Sequence, residues 1–159
     1  MTRVVAVVGN PRPASRTHRA ALQLRDAVAG RTASPNTGLV DLADLGPELL
    51  DPASERRAAA LAEAAAAGIL VVASPTYKAT YTGLLKLFFD AYGPTPLAGV
   101  LAVPLMIGAA PQHALAVDVH LTPLLLELGA GCPARGLYVT EAELRGFETR
   151  ARAFARSIL

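Results

Sequence analysis

The sequence predicts an α/β fold built on a doubly wound, five-stranded parallel sheet with the strand order 2-1-3-4-5. Short apolar runs rich in valine and leucine alternate along the chain with longer helical segments, which is the pattern of repeated βα units. The runs are apolar almost throughout, as strands covered on both faces are. The right-handed crossover rule leaves few topologies for five such strands, and 2-1-3-4-5 is a common one.

The first half of the chain supplies three strands and two helices. Gly30 is suited to end the first helix and Ser54 to begin the second. Residues 44–52 contain two prolines and several acids, so we expect a loop there. The predicted strands are 3–8, 38–42 and 69–73, with the second at a sheet edge, and the predicted helices are 16–30 and 55–67.

The second half repeats the alternation. Pro123 lies inside a predicted helix, where a proline produces a kink. The last helix has acids in its first turn and arginines later, as the helix dipole favours. The predicted strands are 100–107 and 136–139, and the predicted helices are 84–92, 113–129 and 141–159.

The composition indicates a globular chain. Of its 159 residues, 52% are hydrophobic and 18% are charged, so a sizeable core can form and disorder is excluded. We expect a single domain over residues 1–159. A net charge of +2 is too small to indicate nucleic-acid binding. The apolar runs fall short of the ~18 residues of a membrane span, and no signal peptide precedes the first strand, so we expect a cytoplasmic protein without a membrane partner.

Cys132 is the single cysteine of the chain. An intrachain disulfide and a cysteine-based metal cluster are therefore excluded. No base lies beside Cys132 in the sequence, so we interpret it as an inert loop residue. No metal ligands are assigned.

Three irregular stretches follow predicted strands 1, 3 and 4, at residues 9–17, 74–81 and 108–113. These strands are neighbours in the predicted order, and the chain changes direction between strands 1 and 3. Ligands of open α/β sheets bind outside the carboxyl ends of the strands at such a switch point. The sequence therefore predicts one binding site made from these three loops.

The first loop suits a phosphate monoester. It combines polar side chains and positive charge with the free backbone N–H groups of a helix that begins near Arg16. Gly9 is its only glycine and no Gly-Lys-Ser/Thr follows, so it is neither a dinucleotide fingerprint nor a P-loop. An ordinary solvated turn with a helix cap explains the same residues equally well. The candidate ligands are Asn10, Arg12, Ser15, Arg16 and Thr17.

The second loop suits a flat heteroaromatic ring. Pro75 stiffens it, and the backbone of residues 76–78 can hydrogen-bond to ring edges. Tyr77 can pack against the ring, and Lys78 can stabilise a reduced anionic form. In the alternative interpretation the tyrosines are half-buried or interface residues, and Thr80 or Thr82 caps the next helix. The small residues 108–110 of the third loop would let a ring approach the backbone, although a plain turn would look the same.

These stretches resemble the NADPH-dependent FMN reductase family. Residues 9–17 are similar to its phosphate loop, and Ser-Pro-Thr-Tyr-Lys-Ala-Thr-Tyr-Thr-Gly-Leu-Leu-Lys at 74–86 is similar to its ring-binding loop. His-x-x-Ala-Val-Asp at 113–118, followed by Pro123, resembles the sulfonate-utilisation branch. Reductases of that branch supply reduced flavin to a separate monooxygenase.

The resemblance implies a flavodoxin-like fold and an enzyme that transfers hydride from NADPH or NADH to FMN. It also implies homodimers or homotetramers that pack through helices near the flavin. The first loop would hold the phosphate, and the second the isoalloxazine with the third beside it. The residues assigned in this way are Asn10, Arg12, Ser15, Arg16, Thr17, Pro75, Thr76, Tyr77, Lys78 and Gly108.

The chain departs from the family pattern at two positions. Asn10 stands where the family commonly has serine, and an asparagine can still donate a hydrogen bond. Val119 stands where the sulfonate branch typically has a tyrosine, so behaviour tied to that tyrosine does not carry over. We interpret the neighbouring His120 as a surface or interface residue.

No catalytic residue is assigned, because the hydride passes directly between two cofactors. His113 and Asp118 are interpreted as structural. Two alternatives remain: a reductase of quinones, azo compounds or metals that retains its FMN, and a flavodoxin-like electron carrier. The positive net charge and the absence of aromatic residues from 108–113 favour an enzyme with an open flavin face over the carrier.

The helix after the second loop has more apolar residues than one buried stripe requires. We expect the excess to face another subunit. These residues are Leu84, Leu85, Leu87, Phe88 and Phe89.

Overall fold

Five parallel strands form a sheet in the order β2-β1-β3-β4-β5 in the computed structural model, which describes residues 2–159. The predicted topology is confirmed. Met1, the first residue of the expected domain 1–159, lies outside the described residues. The strands are β1 Val4–Val8, β2 Thr37–Asp41, β3 Ile69–Pro75, β4 Leu101–Gly108 and β5 Leu137–Thr140.

Helices cover both faces of this sheet. None of them, within residues 2–159, is both long and apolar enough to cross a bilayer. The α-helices are α1 Arg16–Arg31, α2 Leu42–Leu45, α3 Glu55–Ala65, α4 Gly83–Asp90, α5 Thr122–Glu127 and α6 Phe147–Ile158. Shorter turns are the 3₁₀-helices Gly46–Leu50, Pro111–His113 and Glu141–Leu144 and the π-helical turn Val117–Leu121.

The central strand β1 shows why the sheet is covered on both faces. All five of its residues are buried, and alternate residues point to opposite sides. Val5 and Val7 belong to a core that includes residues of α3, α4 and α5. Val4, Ala6 and Val8 belong to a second core with α1 and α6. A strand with two apolar faces needs both layers, so the continuous valine run at the start of the chain leads directly to the doubly wound architecture.

The predicted loop at 44–52 is wrong, because most of it is helical. The Asp41 carboxylate accepts a hydrogen bond from the backbone N–H of Ala43 at 3.1 Å and caps α2. Leu42, Leu45 and Leu49 are buried on one side of the two short helices. A proline is tolerated in the first turn of a helix, so Pro47 does not exclude the 3₁₀-helix that it helps to begin.

The helix predicted at 113–129 is discontinuous, as Pro123 indicates. Pro123 has no N–H group, and its ring would collide with the carbonyl of the residue four positions earlier. The chain responds with a π-helical turn, in which the Thr122 N–H and hydroxyl both donate to the Val117 carbonyl. The irregularity therefore takes the form of a widened turn before the proline.

Two further boundaries differ from the sequence prediction. Gly30 lies inside α1, which ends at Arg31 with Thr32 as its C-cap. The last helix is interrupted. A capping box between Thr140 and Glu143 begins the 3₁₀-helix Glu141–Leu144, which is a separate turn before α6. Gly146 then has a left-handed backbone (φ 73°) and starts α6 in a new direction.

Candidate functional site

One cavity of about 610 Å³ lies at the carboxyl ends of β1, β3 and β4 and is lined by all three predicted loops. It brings together nine of the ten predicted site residues. The tenth, Lys78, does not line it and is exposed at the tip of the second loop. The predicted residues in the cavity wall are Asn10, Arg12, Ser15, Arg16, Thr17, Pro75, Thr76, Tyr77 and Gly108.

Asn10 acts as a brace inside the first loop. It is buried, its side-chain amide donates to Thr17 Oγ1 at 3.1 Å, and its Oδ1 accepts from the backbone N–H of Arg12 at 2.9 Å. Both ends of the amide are therefore used within the loop. Thr17 Oγ1 accepts from Asn10 and keeps its own proton for a ligand.

The first turn of α1 lies at one end of the cavity and carries groups that could bind an anion. Ser15 caps the helix, since its Oγ accepts from the backbone N–H of His18 at 3.1 Å. The hydroxyl proton of Ser15 is left to donate. The N–H groups of Arg16 and Thr17 start the helix and have no carbonyl partner within it. Helix N-termini of this kind bind phosphate groups.

Glu141 is a cavity residue that the sequence interpretation missed. It follows β5 directly, and its carboxylate pairs with the Arg16 guanidinium through two hydrogen bonds of 2.9 Å each. Both side chains are largely exposed. Its position in the sequence could have indicated it. Glu141 follows β5, which ends at the same edge of the sheet as the strands that carry the three loops.

The second loop closes on itself in a tight turn. Tyr77 and Thr80 exchange two backbone hydrogen bonds, of 2.8 and 3.2 Å. Lys78 and Ala79 between them both have left-handed backbones, with φ of 50° and 69°. A left-handed backbone at a residue other than glycine costs about 1–2 kcal/mol. The surrounding contacts therefore hold this turn in a conformation that its two central residues disfavour. Strained turns of this kind occur mainly at functional sites.

Thr82 joins the second loop to the first. Its buried hydroxyl donates to the Gly9 carbonyl at 2.6 Å and accepts from the Leu85 N–H at 3.1 Å, where it caps α4. Its own N–H donates to the Ser74 hydroxyl at 3.1 Å. A Cβ atom on Gly9 would lie 2.8 Å from that of Leu85, so glycine is required for this approach. The helix-cap interpretation of Thr82 agrees with the structure, but its link to Gly9 had no sequence signal.

Gly108, Tyr138 and Thr76 form the wall around the third loop. The Tyr138 hydroxyl donates to the Ala110 carbonyl at 2.7 Å, and burial raises the pKa of this phenol. A Cβ atom on Gly108 would lie 1.9 Å from the Tyr138 oxygen and 3.3 Å from Thr76 Oγ1. Thr76 Oγ1 is buried beside the Tyr138 hydroxyl, and a hydrogen bond between the two opposes the effect of burial on the pKa of that phenol.

The two ends of the cavity therefore suit different parts of one ligand. The α1 end offers backbone N–H groups, hydroxyls and a guanidinium for an anion. The other end offers the backbone of Pro75, Thr76 and Gly108 and the exposed ring of Tyr77. A molecule with a phosphate at one end and a flat ring with polar edges at the other matches this arrangement.

Polar residues on the neighbouring helical segments have structural partners. Asp118 accepts from the Gly136 N–H at 2.7 Å and pairs with Arg135 at 3.0 Å, which ties the π-helical turn to the segment before β5. His18 Nδ1 lies 2.6 Å from the buried Asp41 carboxylate, and neither residue lines the cavity. Burial raises the pKa of the Cys132 thiol, which disfavours its nucleophilic form.

Comparison with known proteins identifies relatives of the whole fold. The model of the NADPH-dependent FMN reductase family matches residues 2–143. The chain is 35% identical over 143 residues to an NADH-dependent FMN reductase SfnF of Pseudomonas putida, covering 87% of this chain and 77% of that protein. It is 31% identical over 150 residues to an FMN reductase (NADPH) of Pseudomonas aeruginosa, covering 91% and 80%.

A solved structure shows the same architecture. The apo form of an NADH:FMN oxidoreductase, EMOB, superimposes with a TM-score of 0.85 at 29% identity, covering 100% of this chain and 91% of that one.

Gly108→Ala is expected to destabilise the protein by about 1–3 kcal/mol, because the added methyl group overlaps the Tyr138 hydroxyl. The same substitution should cost less in a Tyr138→Phe background, where the nearest atom has been removed. Urea denaturation of the four proteins measures this coupling. Gly30→Ala is the control, since its Cβ meets nothing within 4 Å inside α1 and should be neutral or stabilising. Equal losses from Gly108→Ala in both backgrounds would contradict the assigned contact.

Proposed function

Because the chain belongs to the NADPH-dependent FMN reductase family, we propose that its three-loop cavity binds FMN and that reduced flavin leaves it to serve a separate flavin-dependent monooxygenase. The family match and the relatives make the chain an NAD(P)H:FMN oxidoreductase. The observation that carries the proposed site is that loops distant in sequence supply nine of the ten expected residues to one cavity.

The phosphate of FMN would be held at the start of α1. The backbone N–H groups of Arg16 and Thr17 and the hydroxyls of Ser15 and Thr17 are fixed donors there. The Arg16 guanidinium adds charge-assisted hydrogen bonds. Asn10 keeps the loop in shape through its contacts with Thr17 and Arg12. Arg12 itself is exposed and adds positive charge at the rim.

The isoalloxazine would lie against the second and third loops. The backbone of residues 75–77 offers polar groups to its edges, and Gly108 lies beside it in the cavity wall. Tyr77 is 43% exposed in the cavity wall and can pack on the ring. Lys78, at the exposed tip of its turn, would act through charge at a distance from the cavity wall.

When bound, FMN would supply the hydride acceptor for a nicotinamide nucleotide, and the chemistry belongs to these two molecules. The chain contributes position: it fixes the phosphate and one edge of the ring and leaves a ring face accessible to the nicotinamide. No side chain is needed as an acid or base for this transfer, so none is assigned a catalytic role. The third loop carries no aromatic residue that would cover the ring.

Release of the reduced flavin is supported by the exposure of the site. Arg12, Arg16 and Tyr77, which would contact the cofactor, are exposed in the cavity wall. Contacts at exposed positions are weakened by solvent, which favours exchange over permanent retention. The similarity to an FMN reductase SfnF also supports release of the reduced flavin. The motifs of this chain resemble the sulfonate-utilisation branch, whose reductases supply reduced flavin to a separate monooxygenase.

The decisive experiment is a visible titration of the purified protein with FMN and then with NADPH or NADH. Loss of flavin absorbance at about 450 nm without an added electron acceptor is the expected sign of hydride transfer. Ultrafiltration after reduction should find flavin in the filtrate. Absence of nicotinamide oxidation would overturn the reductase, and quinone reduction by a flavin that never reaches the filtrate would overturn the supplier role.

Arg16→Ala and Ser15→Gly are each expected to lower the affinity for FMN by about tenfold and to leave the affinity for riboflavin nearly unchanged, because only FMN carries a phosphate. Glycine is chosen at Ser15 because it preserves most of the helix-cap stability. Flavin fluorescence quenching measures both affinities. Arg31→Ala, at the far end of α1, is the charge-matched control. Equal losses for FMN and riboflavin would place the phosphate elsewhere.

We further propose that the chain forms a homodimer or homotetramer, with an apolar surface on the segment 115–126 at its interface. Leu115, Val119 and Leu126 are 61%, 57% and 52% exposed there. The helix α4, which the sequence assigned to this contact, buries three of its large apolar residues in its own core and leaves two half-buried.

Leu115→Asp combined with Val119→Asp is expected to reduce the mass of the assembly in light scattering, since a charge at an apolar interface loses its hydration. Leu50→Asp, at a more exposed leucine outside this surface, is the control and should leave the mass unchanged. An unaltered mass for the double variant would remove this surface from the interface.

A further inference from the structure

We propose that Glu141 competes with the flavin phosphate for Arg16, and that this competition keeps FMN exchangeable and reduces the preference of the site for phosphorylated flavin. The inference rests on the proposed function, since it assumes that FMN binds in the three-loop cavity. It assigns Glu141 a part in setting specificity rather than in the chemical step.

The Arg16–Glu141 pair occupies the donors that a phosphate would use. Arg16 Nη1 donates to one carboxylate oxygen of Glu141 and Nη2 to the other, both at 2.9 Å. This parallel arrangement uses the same fork of donors that an arginine presents to a phosphate. Arg16 therefore cannot hold Glu141 and a phosphate in this bidentate manner at the same time.

The Arg16–Glu141 pair lies in the wall of the proposed FMN cavity. Arg16 and Glu141 line the same cavity as Ser15 and Thr17, the fixed donors of the anion site. A carboxylate in that wall repels a phosphate that carries about −1.5 to −2 charge. The repulsion and the occupied guanidinium act in the same direction, and neither affects a flavin without a phosphate.

The local structure holds Glu141 in this position. The preceding Thr140 forms a capping box with Glu143, whose carboxylate accepts from the Thr140 N–H at 2.7 Å and from its hydroxyl at 2.8 Å. The turn is thus fixed by Glu143, and Glu141 is not needed for it. Among residues 2–159, Arg16 is the one side chain that hydrogen-bonds to the Glu141 carboxylate.

A displaced Glu141 has other partners nearby. An adjoining cavity of about 330 Å³ is lined by Arg16 and Glu141 together with Arg19 and Arg145. The side chains of Arg19 and Arg145 take part in none of the ion pairs formed within residues 2–159. Phosphate binding can therefore exchange one ion pair for another, which makes the displacement readily reversible.

Glu141→Gln tests the competition directly. It removes the charge and keeps the size of the side chain. The variant is expected to bind FMN about threefold to tenfold more tightly, mainly through slower dissociation, while riboflavin affinity stays within about twofold. Fluorescence titration and stopped-flow dissociation of FMN and riboflavin give the four values. The control is Glu143→Gln, the same change of charge two residues away on a side chain that does not line the cavity. A glutamine can still accept from the Thr140 N–H in the capping box, so the turn that carries Glu141 is kept.

A double-mutant cycle with Arg16→Ala completes the test. In that background the share of the gain that comes from freeing the guanidinium should vanish, because the competed group is gone, and only the share from charge repulsion should remain. Tighter FMN binding of equal size in Glu143→Gln would reduce the effect to general charge and overturn the proposal. Weaker FMN binding in Glu141→Gln would overturn it as well, since Glu141 would then be a ligand. If the unaltered chain bound FMN but Glu141→Gln changed nothing, the competition alone would fall, whereas no FMN binding at all would remove the proposed function too.

Discussion

The hydrogen bond from the Thr82 hydroxyl to the Gly9 carbonyl is the contact on which the site depends. β1 and β3 run side by side, with Val8 opposite Ala73, and the Gly9 N–H continues this pairing to the Ala73 carbonyl at 2.8 Å. Thr82 then ties the chain beyond β1 to the start of α4. The first and second loops of the cavity are thereby parts of one buried frame, and their separation is set by the sheet.

Two glycines in this frame are required by what packs against them. Gly9 makes room for Leu85 of α4, and Gly108 makes room for the hydroxyl of Tyr138 on β5. Neither need can be seen from the glycine alone, because each depends on a residue far along the chain. Both glycines stand at the ends of strands, where the missing side chain lets another element pack against the backbone. Gly108 lines the cavity, whereas Gly9 is buried and does not line it.

The sequence predicted the sheet and the meeting of the three loops at one cavity because both follow from local patterns. Continuous β-branched runs identify buried parallel strands, and proline, glycine and hydroxyl residues identify the loops between them. The helices within 44–52 were missed because their stability comes from the burial of Leu42, Leu45 and Leu49, which outweighs two prolines. Glu141 was missed because its meeting with Arg16 joins positions 125 apart. The position of Lys78 outside the cavity wall depends on a strained turn that its own sequence does not favour.

The division between buried and exposed contacts also bears on how a flavin is held. The donors of the proposed anion site are backbone N–H groups and capping hydroxyls, which cannot change without loss of α1 or of the loop itself. The charged groups around them, Arg12, Arg16 and Glu141, are exposed and support no core contact. Affinity for a phosphate can therefore be raised or lowered through these side chains while the frame of Thr82 and Gly9 stays intact.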